Sequence, residues 1–219
     1  MLWTNDQELF ALAKRELFVA VVGDVMDTLG LQRQFLPPQI QPLTRDMVTI
    51  GRAMPVLEED CGPTDAPFGL MMDALDDLKA NEIYLCTGGT PHYAVWGELM
   101  STRAMRCGAV GAILNGYTRD LKGILSLGFP VFCYGSYAQD QAPRGRVSDF
   151  RCTVHIGESI IHPGDILFGD CDGVCVVPQA AEHDVFHAAL EKARGEKHVR
   201  TEIENGMPAK EAFAKYGIL

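Results

Sequence analysis

No apolar run in this chain approaches the roughly 18 residues that a membrane-spanning helix needs, so no helical membrane span is expected. Positive charge is scarce: 19 Lys and Arg stand against 29 Asp and Glu, for a formal net charge of −10. Lys192, Arg194, Lys197 and Arg200 are interleaved with Glu191, Glu196 and Glu202, which describes a solvated helix face and not a phosphate-binding patch. A general nucleic-acid binder is therefore excluded. Internal repeats, low-complexity tracts and linkers are also missing. The seven cysteines, at 61, 86, 107, 133, 152, 171 and 175, are odd in number and several sit in apolar runs, so they read as reduced thiols and not as a disulfide framework. Cys171 and Cys175 have no matching second pair, which argues against zinc. Met1 to Arg15 carries acids in an amphipathic pattern and lacks the apolar centre of a signal peptide, and a cytoplasmic protein is expected.

What is present is 219 residues with 47% hydrophobic content, enough for one compact domain with a real core. A single domain over 1–219 is expected, with 180–219 a C-terminal helical extension used in oligomer contacts. Residues 4–15 read as a helix capped by Thr4. Val19 to Gly30 reads as a strand-to-helix transition, with Asp24 as cap and Gly30 as stop. Met47 to Val56 is a strand, Asp60 to Phe68 a loop, and Leu70 to Ala80 a helix. The centre alternates strand Ile83–Thr87, helix Gly97–Cys107, strand Ala109–Leu114, helix Asp120–Leu127 and strand Pro130–Tyr134. That βαβαβ order predicts parallel strands. Arg146–Ile156, Ser159–His162, Ile166–Gly169 and Val174–Val177 then read as antiparallel or mixed β, followed by a charged helix from about 180 to 204 and a small one opened by Pro208. The fold class is α/β with a β-rich second half.

Ligands of open α/β sheets bind beyond the carboxyl ends of the strands. Two such ends are Gly88 to Gly97, which opens a helix, and Asn115 to Asp120. Twenty residues separate Glu98 from the Arg119-Asp120 pair. The free amides at the start of the Gly97 helix, those of Leu99 and Met100 especially, suit a carboxylate. Asp120 suits a hard divalent cation, which commonly takes only one or two protein carboxylates. Arg119 suits a substrate carboxylate or enolate oxygen, and Glu98 is placed to position a metal-bound water. A 2-oxo acid would chelate such a cation through its carboxylate and ketone oxygens.

Several motifs occur in order: Ala94-Val95-Trp96-Gly97-Glu98-Leu99, Gly108-Ala109-Val110-Gly111, Asn115-Gly116-Tyr117-Thr118-Arg119-Asp120, Leu127-Gly128-Phe129-Pro130-Val131-Phe132, Pro143-Arg144-Gly145-Arg146, Pro163-Gly164-Asp165, and Asp170 to Pro178. Together they resemble the RraA-like family, which includes class II 4-hydroxy-4-methyl-2-oxoglutarate aldolases and the regulator of ribonuclease E activity. The resemblance implies a swivelling β/β/α-type fold, and a trimer or dimer of trimers with active sites between subunits. It also implies Mg2+ or Mn2+ on Asp120, substrate on Arg119, and a pyruvyl carboxylate on the amides of Gly97, Glu98, Leu99 and Met100. Aldolase members usually carry aspartate where this chain has Glu98, whereas the regulator type lacks the acid, which favours an enzyme. The segments Cys61–Pro67 and Thr90–Tyr93 depart from the family pattern and are expected to line the pocket. Glu202, Glu204 and Glu211 are candidates for an acid supplied to a neighbouring subunit.

The remaining candidates carry weaker signals. His92 lies close to the site in sequence and suits a proton donor. His183 and His187 have helical i, i+4 spacing but no third ligand, so a solvated face is expected. Asp170 and Asp172 are expected to shape a tight turn. The function expected is a metal-dependent lyase that cleaves a 4-hydroxy-2-oxo acid to pyruvate and a carbonyl product, with oxaloacetate decarboxylation by the same chemistry. The alternative is a non-catalytic protein-binding regulator.

Overall fold

The computed structural model describes residues 2–62 and 68–217, so positions 63–67 of the divergent loop lie outside the described residues. In chain order come α1 (Asp6–Glu16), α2 (Val19–Thr28), β1 (Gln41–Pro42), β2 (Thr49–Asp60), β3 (Phe68–Gly69), α3 (Met71–Asp76) and β4 (Glu82–Thr87). Then follow β5 (Ala94–Trp96), α4 (Glu98–Cys107), β6 (Gly111–Leu114), β7 (Tyr117–Thr118), α5 (Leu121–Leu127) and β8 (Val131–Cys133). The second half holds β9 (Gly145–Phe150), β10 (Val154–Ile156), β11 (Ser159–Ile161), β12 (Ile166–Asp170), β13 (Gly173–Val177), α6 (Glu182–Glu204) and α7 (Ala209–Tyr216).

β2, β4, β6 and β8 pair in parallel at the middle of a nine-stranded mixed sheet, as the alternating centre predicts for its three strands. Every residue of β4 and β6 is buried, because helices cover one face and the curled sheet encloses the other. β12 and β13 form an antiparallel hairpin on the far side of β2. The sheet nearly closes: Val176 N–H donates to Gln34 O at 2.8 Å and Leu36 N–H to Val174 O at 3.0 Å, and the chain then enters β1 beside β8. Ile83, Leu85, Ile113, Phe132, Leu167 and Val176 fill the interior.

Two helical layers cover the outside. α1, α2 and the first half of α6 pack on Ile50, Ile166, Phe168 and Val177. α3, α4 and α5 pack on Met54, Tyr84, Ala112 and Val131. Arg52 ties these parts together, bonding Asp6 of α1 and Glu182 of α6 from the sheet. Pro55 is tolerated inside β2 because it falls between the stretch paired with β12 and the stretch paired with β9. α6 is core as far as Ala193; beyond it, Val199 and Ala212 of α7 are buried.

Four local expectations are corrected. Asn5, not Thr4, caps α1: its side chain accepts from Glu8 N at 3.0 Å, while the Thr4 amide donates to the Glu8 carboxylate. Residues 19–28 are helical throughout, with Asp24 mid-helix and paired with Lys192, because the start of α2 is capped from across the molecule by Asp170, which accepts from Val19 N at 2.8 Å. The 146–156 stretch is two strands, broken at Arg151, whose φ of 54° turns it to bond Asp77 and Glu82. The helix expected over 70–80 spans only Met71–Asp76. The glycine stops hold: Gly108, Gly128 and Gly217 all end helices in the left-handed region. None of the seven cysteines is joined in a disulfide. Among the described residues no helix is long and apolar enough to cross a membrane.

Candidate active site

The site is built where β4, β6 and β8 end. Beyond those ends a small second layer forms: β5 pairs in parallel with β7, Ala94 bridges to Asp140, and Thr118 bridges to Ser136. Trp96 anchors this layer. It is buried, stacks on Phe129 at 6.2 Å, and donates its indole N–H to Ser101 Oγ at 2.7 Å. The Trp96 carbonyl accepts from Arg119 N at 2.9 Å and from Thr118 Oγ1 at 3.1 Å. Two residues that follow different strands are thus held side by side.

Asp120 is the strained member. It sits in the left-handed region with φ 58°, unusual for a non-glycine residue, and its side chain does not cap α5 although it occupies the cap position. The carboxylate turns instead to the start of α4, where Oδ2 accepts from Glu98 N at 3.3 Å. Gly97 makes this approach feasible, since a Cβ there would lie 2.6 Å from Asp120 Oδ2. Arg119 lies between two carboxylates, with Nε 3.9 Å from Asp120 Oδ2 and Nη1 3.4 Å from Asp140 Oδ1. All three side chains are between one-third and one-half exposed.

These groups share a cleft of about 360 Å3. Gly97, Leu99, Met100, Arg119 and Asp120 all line it, so five of the six expected site residues meet there. The amides of Leu99 and Met100 lie in the first turn of α4, where no intrahelical acceptor exists, and the helix dipole adds partial positive charge. Phe68, Met71, Met72 and Leu75 supply an apolar wall, and Arg103 and Asp76 form an ion pair at 2.7 Å along the rim. Glu98 is the exception. Its carboxylate lies against Gly123 of α5, where a Cβ would clash with it, and it does not line the cleft.

The other candidates fall elsewhere. His92 is exposed on a loop and does not line the cleft; its amide donates to Thr90 O. The Thr90–Tyr93 segment also lies outside the cleft, bound to Asp60, which accepts from Thr90 N and Tyr93 Oη at 2.9 Å each. The Thr90 amide chiefly holds the Asp60 carboxyl below its usual range. His183 and His187 stack at 6.0 Å on an exposed face. Asp170 and Asp172 shape a turn in which Asp172 N donates to Asp170 Oδ1 at 2.9 Å. Oxygens of both come within 4.8 Å of one another and of Cys171 Sγ, but both Asp170 oxygens are already engaged by amides. Cys175 is buried under α2 while Cys171 is exposed. Glu202 pairs with Lys215, and Glu204 and Glu211 are exposed on the terminal helices.

Sequence reasoning missed Asp140 and Gln141. They follow β8, and the rule that flagged the ends of β4 and β6 applies to that third strand end as well.

A divalent cation fits the donor set. Asp120 offers hard oxygen with only one long amide bond on it, in a cradle that a Cβ on Gly97 would fill, and Asp140 adds a second carboxylate along the same cleft.

Comparisons with known proteins agree with this architecture. The chain is 28% identical to DlpA of Legionella pneumophila over 90% of its own length, which is 32% of that protein. It is 26% identical to a Halalkalibacterium halodurans protein provisionally named as a 4-hydroxy-4-methyl-2-oxoglutarate aldolase, covering 91% of this chain and 90% of the other. An uncharacterized Pseudomonas syringae protein superposes with a TM-score of 0.87 at 24% identity, covering 99% and 97% of the two chains. Streptomyces coelicolor RraAS2, described as an unusual member of the RNase ES inhibitor RraA protein family, superposes with a TM-score of 0.80 at 20% identity, covering 91% and 100%. The profile of the RraA-like family, described as Aldolase/RraA, matches residues 19–176, and the chain belongs to that family.

Proposed function

We propose that this protein is a divalent-metal-dependent carbon–carbon lyase that cleaves a 4-hydroxy-2-oxo acid to pyruvate and a carbonyl product. The single observation that carries this reading is the convergence of Arg119, Asp120 and the free amides of α4 on one cleft. The aldolase name borne by a relative at 26% identity agrees with it.

The residues divide the work. The amides of Leu99 and Met100 bind the ligand carboxylate. Arg119 donates to the oxygen at C2, where charge grows as the C3–C4 bond breaks, and Asp140 holds the guanidinium in place. Asp120, with Asp140 on the same cleft, would hold Mg2+ or Mn2+, which when bound supplies Lewis-acid stabilisation of the enolate. Among the described residues no lysine lines the cleft, so these residues offer no amine for a Schiff base. The apolar wall at Met71, Met72 and Leu75 would face the part of the substrate that leaves as the carbonyl product. The same enolate stabilisation would serve oxaloacetate decarboxylation. Assembly as a trimer or dimer of trimers in the cytoplasm is part of this proposal.

The test is pyruvate release from oxaloacetate and a panel of 4-hydroxy-2-oxo acids, with Mg2+ or with EDTA. Metal-dependent pyruvate from at least one of them is expected. Its absence from all would overturn the lyase reading in favour of a binding protein of the ribonuclease-inhibitor type.

A further inference from the structure

A buried acid, Glu58, lies against Gln141 at the edge of the cleft with no assigned role. β2 buries Val56, then breaks register against β9 between Leu57 and Glu58. The bulge inverts the expected pattern: Leu57 is turned out, 37% exposed, and Glu58 is turned in, 2% exposed. Bulges of this kind re-aim side chains beside functional sites. Among the described residues, both Glu58 carboxyl oxygens are buried with no well-formed hydrogen bond, and so is Nε2 of Gln141, the one amide close enough to favour the charged form. Leaving a charged carboxylate in that state costs far more than leaving a neutral carboxylic acid there.

The surroundings are built to accommodate it. A Cβ on Gly145 would lie 2.6 Å from Glu58 Oε1, and one on Gly89 would lie 2.9 Å from Glu58 Cγ. Beside Glu58 is a cavity of about 10 Å3, also lined by Thr87, Tyr93 and Asn115, which is room for about one water. Gln141 is the link to function: it adjoins Glu58 on one side and lines the Arg119–Asp120 cleft on the other.

The ionisable groups around Glu58 are Glu59 and Asp60 on β2, Tyr84 and Cys86 on β4, and Tyr93. Glu59 is paired with Arg146 at 2.7 Å, and Tyr93 donates to Asp60. Burial pushes Glu58 up to about 8, with Asp60 and Glu59 adding to it and Gln141 opposing it. Burial also lifts Tyr84, Cys86 and Tyr93 above their ordinary values, so they stay neutral where Glu58 titrates.

We infer that Glu58 is a positioning residue of the cleft: a buried carboxylic acid that acts through Gln141, is protonated when the cleft takes an anion, and weakens anion binding when it ionises. This rests on the reading of the cleft as a 2-oxo acid site. The physical reason is charge balance. Arg119 is already shared between Asp120 and Asp140, and a further negative charge on the far side of Gln141, which lines the same cleft, opposes an incoming carboxylate.

Oxalate, whose own charge is constant across the range, is a suitable probe. Its binding to the intact protein in the presence of Mg2+ would be measured by calorimetry from about pH 6.5 to about pH 9.5, spanning the elevated carboxyl value. The wild type is expected to lose about tenfold in affinity across that span, and Glu58→Gln to change by less than about twofold. In parallel, carbon-13 spectra of protein labelled at the Glu side-chain carboxyl should show one resonance titrating near the middle of that range. Glu58→Gln should remove it, with Glu58→Asp serving if the Gln variant does not fold. An equal loss in wild type and variant, or a Glu58 resonance that titrates in the ordinary carboxylate range, overturns the inference and leaves the lyase reading intact. No oxalate binding at any pH defeats the cleft reading, and this inference with it.

Discussion

Arg119 and Asp120 are adjacent in sequence but do different things, because the backbone sends their side chains to different places. Asp120 adopts the left-handed region, and its carboxylate leaves its own helix for the start of α4. Arg119 is held through its amide by Trp96 and reaches toward Asp140. Replacing Arg119 by Ala should lower kcat/KM by at least about 100-fold, near the 3 kcal/mol typical of a lost oxyanion donor. The unfolding midpoint should barely move, because the side chain is partly exposed and packs on no core. Gly97→Ala tests the cradle. Its Cβ would lie 2.6 Å from Asp120 Oδ2, and Mg2+ affinity measured by calorimetry should fall at least about tenfold, the scale of losses when a ligand's support is disturbed. Unchanged affinity would show that Asp120 has room to move and does not depend on the missing side chain.

At the scale of elements, what could be read from the sequence is what is encoded locally. Continuous apolar runs ending at Gly88, Asn115 and Tyr134 mark strands buried on both faces, and glycines at 108, 128 and 217 mark helix ends. What could not be read depends on distant partners. α2 starts at Val19 because Asp170 caps it, and β9 ends where Arg151 turns to reach Asp77 and Glu82. The bulge that buries Glu58 is likewise set by pairing with β9, while the sequence shows only three acids in a row. Two predictions belong here. Arg52 bonds α1, α6 and the Gly164 carbonyl from a part-buried position, and Arg52→Ala should cost about 1–3 kcal/mol by denaturant unfolding. Glu58 gives a pH dependence with a definite sign. Its folded-state value, near 8, is raised above the ordinary 4.5, so between those limits the folded state holds the proton that the unfolded chain releases. Stability should therefore fall as pH rises from about 4.5 to about 8, by up to about 1.4 kcal/mol per unit from this group, and level off above. Denaturant midpoints measured across that range should show a shallower slope in Glu58→Gln.

On the scale of the whole molecule, one arrangement explains why the acid, the arginine and the helix start are neighbours at all. Parallel strands β4 and β6 deliver their carboxyl ends to the same rim, and the β5–β7 pair locks the two following loops together above them. The sequence showed the spacing from Glu98 to Arg119 and Asp120, but not that α5 draws the Glu98 side chain away over Gly123. Nor did it show that Asp140 and Gln141 join from the end of β8. If Arg119 and Asp120 act on one ligand from one cleft, their contributions cannot be independent. The decisive measurement is the initial rate of Mg2+-dependent pyruvate release in wild type, Arg119→Ala, Asp120→Ala and the double variant. Each single variant should lose at least about 100-fold, and the double variant should lose little more than the worse single, as residues acting as one unit do. Losses that simply add, or a single variant that turns over at a near-normal rate, would contradict a shared site.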